Sequence, residues 1–134
     1  MSCMSIIPSR LDYINCKDVV ELITSNSNKK RFIIIDVRGN DVGDLVIHTA
    51  INIPSPNFKE TATSLASIYK DYDLIIIHCM MSQTRGPTCA MILNECFKKE
   101  KYKESHVQIR ILRGGFERFY SEYGERRELF DVVH

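Results

Sequence analysis

The chain has 134 residues, 44% of them hydrophobic, and a formal charge of +1 at neutral pH. That length supports one domain around one core and not two. The near-zero charge gives no prior for a nucleic-acid or membrane-surface partner, and no apolar run approaches the length of a membrane span.

The opening MSCMSIIPSR lacks the basic end and long apolar middle of a secretory signal. The expected compartment is the cytoplasm, with the nucleus the other choice. Five cysteines, at positions 3, 16, 79, 89 and 96, make an odd set without a Cys-x-x-Cys pair. Free thiols are expected, and neither a disulfide framework nor a metal site.

Met1 to Arg10 reads as a loose start and Leu11 to Ile14 as a short edge strand. Asn15 is placed to cap a helix over residues 17–23, whose apolar members share one face. Ser25 to Lys30 is a polar turn. Phe32 to Val37 is an apolar strand broken only by Asp36, a pattern that fits burial on both faces of a parallel sheet. Asp36 has two readings. It is a strand-end acid that bonds loop amides or pairs with an arginine, as any buried acid must, or it braces the floor of an anion-binding loop. Gly39 to Gly43 is a loop near the active edge. Ala50 to Pro54 reads as a short strand stopped by proline. His48 carries no assigned role.

Asn57 to Tyr69 reads as a helix with an inward stripe of Phe58, Ala62, Leu65 and Ile68. Leu74 to Ile77 is a buried strand that ends in His78-Cys79. Arg85 follows, then Gly86-Pro87 and a helical pattern from Thr88 onward, with proline in its first turn. The charge run FKKEKYKESH is a solvated helix end and turn. Val107 to Leu112 is another strand. Gly114-Gly115 turns into a helix from Phe116 to about Tyr123, which Gly124 ends. Glu125 to His134 is a tail whose Leu129, Phe130, Val132 and Val133 are suited to packing or to a homodimer. Strands that alternate with helices imply an α/β layered domain with a mostly parallel sheet.

The chemistry concentrates at Cys79 to Arg85. A loop from a buried strand to a helix start aims backbone N–H groups at whatever sits above the helix, which suits an anion. Cys79 supplies a nucleophile and Arg85 a fixed cation, because helix N-termini and cations favour a thiolate. The amides of Met80, Met81, Ser82, Gln83, Thr84 and Arg85 are placed to surround a tetrahedral oxyanion, with the Arg85 fork gripping two of its oxygens. The Ser82 hydroxyl either bonds the sulfur or stabilises the turn. No carboxylate lies in the loop, and Asp41, Asp44 and Glu117 have no spacing that promises reach to it.

The segments HCMMSQTRGP, IIIDVRGND, AINIP and LRGGFERFY together resemble the rhodanese-fold family, from about Ser9 to Tyr123. More narrowly they resemble its small cell-cycle-phosphatase-like branch, which includes the eukaryotic arsenate reductases. The resemblance implies a three-layer domain with the sheet between helices. It implies Cys79 and Arg85 as catalytic residues, with His78, Asp36 and Gly86 as structural supports and His78 a brace, not a base. In the family, sulfurtransferases have a loop one residue shorter, whereas phosphatases and arsenate reductases use the Cys-x5-Arg length found here. The chain departs from the cell-cycle phosphatases at Met80 and Thr84, where their loops are acidic, and at Val37, where they carry a second cysteine. The expected function is thiol-dependent arsenate reduction, with no bound cofactor and with glutathione or glutaredoxin as reductant. A small cysteine-based phosphatase is the alternative, ahead of a sulfurtransferase or a non-catalytic interaction module.

Overall fold

The computed structural model describes residues 11–133, so the start read over Met1 to Arg10 lies outside them. Strand β5 (Leu74–His78) is buried along its whole length and forms the centre of the sheet. Its β-branched side chains alternate between faces, with Ile75 and Ile77 in one core and Ile76 in the other. A strand buried on both sides needs hydrogen-bonded neighbours on both edges. These are β2 (Phe32–Asp36) and β6 (Gln108–Leu112), both parallel to it. The edges are β1 (Tyr13–Ile14) beside β6 and β4 (Ile51–Asn52) beside β2, giving the order β1-β6-β5-β2-β4.

Helices α2 (Phe58–Tyr69) and α3 (Arg85–Phe97) cover one face, burying Leu65, Ala66, Ala90 and Leu93 against Ile75 and Ile77. Helices α1 (Cys16–Thr24) and α4 (Gly115–Tyr123) cover the other, burying Val19, Phe116 and Phe119 against Ile34 and Ile76. This is the expected three-layer α/β arrangement. Among the described residues no helix is long and apolar enough to cross a membrane.

Several local readings change. The buried stripe of α2 is Phe58, Ala62, Leu65 and Ala66, while Ile68 is 63% exposed. Ala66 completes the i, i+4, i+7, i+8 pattern from Phe58, and Ile68 falls to its side. Asn15 makes no side-chain cap. Its carbonyl accepts the amides of Asp18 and Val19, and its side-chain oxygen accepts Arg113 Nε instead. Gly124 ends α4 with φ −60°, so no left-handed turn requires glycine there.

The segment read as a tail folds back. Strand β7 (Phe130–Val132) pairs antiparallel with β3 (Leu45–Ile47), and Leu129 is fully buried. His48 joins this seam. Its amide donates to the Leu129 carbonyl, and its Nδ1 lies 2.8 Å from Asp131 Oδ1.

Candidate active site

In the β2–β5 register, Asp36 sits directly beside His78, so the two strands deliver a carboxylate and an imidazole together at their carboxyl ends. Ligands of parallel sheets bind beyond this edge. Asp36 is fully buried and grips Arg38 through Nε (3.0 Å to each oxygen) and Nη2 (2.7 Å). Arg38 is itself buried, lies 3.9 Å over the Phe116 ring, and donates from Nη2 to the Leu45 carbonyl at 2.7 Å. The pair is the arginine partner that the structural reading of Asp36 called for.

His78 is also fully buried, with Nδ1 3.0 Å from the Cys79 carbonyl. A carbonyl only accepts, so the ring proton sits on Nδ1 and bare Nε2 lies 3.8 Å from Asp36 Oδ2. Burial pushes the histidine below its usual range, against the opposing pull of Asp36. That describes a neutral ring that fixes the loop's first carbonyl.

The loop then wraps Cys79. Its Sγ accepts N–H from Ser82 at 3.2 Å and from Gly86, in the first turn of α3, at 3.3 Å. Ser82 turns through φ 56° to present its amide, and its buried hydroxyl has no partner among the described residues. Of the two readings of the Ser82 hydroxyl, the bond to sulfur is not made, and the contact comes from the Ser82 amide. The amides of Gln83, Thr84 and Arg85 donate to no acceptor among the described residues. Cys79, Met80, Met81, Gln83, Thr84 and Arg85 line a cleft of about 170 Å³.

Helix α4 backs the loop from behind. The Phe116 and Glu117 amides donate to the Cys79 and Met80 carbonyls at 3.0 and 2.8 Å. Such an approach leaves no room for a side chain at Gly115, where a Cβ would lie 2.5 Å from the Met80 oxygen. Its φ of +62° also favours glycine. Cys89 lies below the loop, pushed up to about 12 by burial and by Cys79. Burial likewise raises Cys16 to about 11.

Two placements differ from expectation. The Arg85 fork is on Asp41, with Nη1–Oδ1 2.8 Å and Nη2–Oδ2 2.6 Å. Asp41 therefore does reach the site. Hydrogen bonding to Arg85 lowers its carboxyl to about 2 and raises the guanidinium above its usual range. Glu117 also stands at the rim, in a cleft with Met81 and Gln83. Spacing alone hid both, because Asp41 lies 44 residues from its partner. A usable signal existed: a carboxylate bracketed by Gly39 and Gly43, just past the carboxyl end of β2. No group of three or more His, Cys, Asp or Glu suited to a metal occurs among the described residues.

Comparison with known proteins places the chain in a family. The rhodanese-like domain family matches residues 19–122, and the chain belongs to it. The dual specificity phosphatase Cdc25 of Arabidopsis thaliana is 36% identical over 84 residues, 62% of this chain and 58% of that protein. The dual specificity phosphatase ibp1 of Schizosaccharomyces pombe is 30% identical over 112 residues, 73% of this chain and 81% of that protein. Among solved structures, the As-Sb reductase of Leishmania major superposes with a TM-score of 0.74 at 26% identity, covering 92% of each chain. The relatives thus include both phosphatases and a reductase, and they favour neither.

Proposed function

We propose that this chain is a thiol-dependent arsenate reductase in which Cys79 is the nucleophile and Arg85 the oxyanion's cation. The observation that carries the choice is the state of the carboxylates at the loop. The loop contains none, and Asp41 is committed to Arg85 in its ionised form, so it has no proton to give. Cleavage of a phosphate ester needs a proton on the departing alkoxide. Arsenate supplies its own, since its departing oxygen leaves as hydroxide or water.

Cys79 Sγ displaces one oxygen of arsenate and forms a sulfur–arsenic bond. A glutathione thiolate then attacks Sγ, and the pair of electrons in that bond moves to arsenic. Arsenite departs, leaving a Cys79–glutathione disulfide that a second thiol, from glutathione or glutaredoxin, reduces. Ser82 N–H, Gly86 N–H and Arg85 stabilise the thiolate before attack and again as it leaves. Asp36, Arg38 and His78 hold the loop's shape from below, and the Gly86 amide at the start of α3 faces the sulfur. The expected setting is the cytoplasm or nucleus, where thiols stay reduced.

The phosphatase reading stays in play through Glu117, whose rim position offers a carboxyl for a bulky ester. One assay separates them: arsenate with glutathione and glutaredoxin, beside an aryl phosphate, a phosphoprotein and thiosulfate. The expected result is thiol-dependent arsenate turnover, weak aryl phosphate hydrolysis and no sulfur transfer. Efficient phosphoprotein hydrolysis without arsenate turnover overturns the reductase reading in favour of the phosphatase.

A further inference from the structure

We infer that Asp41 is a positioning residue: it holds the Arg85 guanidinium by its end so that the side edge is turned to the oxyanion. This rests on the reading of the Cys79 loop as an oxyanion cradle. A guanidinium has five N–H donors in a rigid plane. Asp41 takes one from each terminal nitrogen, in a two-point fork. Nε–H and the remaining hydrogen on Nη2 lie together along one side, a second edge able to bind two oxygens at once. An arginine held by one edge loses less freedom when it binds through the other. Without Asp41, Arg85 is a surface side chain free to sample many rotamers.

The carboxylate is itself held. The Gly39 amide donates to Asp41 Oδ1 at 3.1 Å, and the Val42 amide donates to the Gly39 carbonyl. Both ends of this short segment are anchored by one buried side chain, because Arg38 bonds Asp36 before it and the Leu45 carbonyl after it. Asn52 Nδ2 adds bonds to the Asp36 and Arg38 carbonyls. The Asp-Val-Arg signature therefore does more than satisfy a buried acid. It fixes the loop that carries Asp41, and through Asp41 it aims Arg85 over Cys79.

Four variants of the full chain test this: D41N, D41E, R85K and R85K/D41N. Two readouts apply, arsenate turnover with glutathione and the phosphate concentration that protects Cys79 from iodoacetamide. D41N is expected to lower kcat by up to about 100-fold, the scale of a misplaced catalytic group. It also needs severalfold more phosphate for protection, with an unchanged melting temperature. D41E, which keeps the fork, recovers most of the loss. In the R85K background D41N changes little further, because Asp41 acts through the arginine. Tighter or unchanged phosphate protection in D41N overturns the inference, the first by showing that the carboxylate competes with the anion. Losses that multiply in the double variant overturn it as well. If phosphate fails to protect wild-type Cys79, the oxyanion reading itself falls. If wild type is protected and D41N behaves identically, only the role of Asp41 falls.

Discussion

Two aspartate–arginine pairs flank the Cys79 loop, with nearly equal shortest contacts of 2.7 Å for Asp36–Arg38 and 2.6 Å for Asp41–Arg85. Their surroundings differ. The first pair is 0% and 2% exposed at its side chains, the second 39% and 35%. In the buried pair each ion has given up its water, so neither can change partner without stranding the other in a low dielectric. In the half-exposed pair solvent screens the attraction and replaces a lost partner at little cost. The same two residue types therefore form a desolvated pair in one place and a solvent-screened pair in the other. Bond length does not distinguish them, and burial does.

The largest effect expected around this pairing is at the sulfur between them. Cys79→Ser leaves both pairs in place and removes the sulfur, and a hydroxyl is a far weaker nucleophile at nearly the same size. Turnover should vanish while thermal unfolding is unchanged. Activity above a tenth of wild type removes Cys79 from the mechanism.

Next comes the contrast itself, tested by removing each carboxylate in turn. Asp36→Ala leaves Arg38 buried and uncompensated, at a cost of about 3–5 kcal/mol in unfolding free energy. Asp41→Ala costs under about 1 kcal/mol, since its pair is screened. Denaturant titration of both variants sharpens the comparison, and equal losses would break it.

The smallest effect is a pH dependence from His78, the neutral ring beside the buried pair. Burial depresses its folded-state value below about 6.5, the ordinary value in the unfolded chain. Below that pH the unfolded chain binds a proton that the folded ring refuses, so stability falls as pH falls. Thermal melts between pH 7 and 5 should show this decline, and His78→Asn should flatten it. A variant with the same slope as wild type would place the acid sensitivity elsewhere.

Much of this was legible along the chain. The apolar run of β5 marked a buried strand, and that of β2, broken only by Asp36, a strand buried on both faces, because burial on two sides removes the polar alternation that a half-exposed strand shows. The His-Cys junction, the Gly-Pro helix start and the Gly-Gly turn marked local backbone events, which depend on near neighbours. What remained hidden depended on distance in sequence. Ile68 was misread because several faces of a short helix look apolar until the sheet selects one. The tail's apolar residues called for a partner, but a three-residue strand does not show which one until β3 is brought beside it.

The sequence by itself determined the α/β layering, the position of Cys79 at the end of its strand and the length of the loop to Arg85, all set by periodicity and adjacent residues. The tertiary structure alone decided where the charges go. It set Asp36 beside His78 by register, closed Gly115 against the loop's carbonyls, and carried Asp41 across 44 residues to Arg85. Charge pairing acts through space at a few ångströms, and a linear pattern does not encode which distant carboxylate the fold will bring that close.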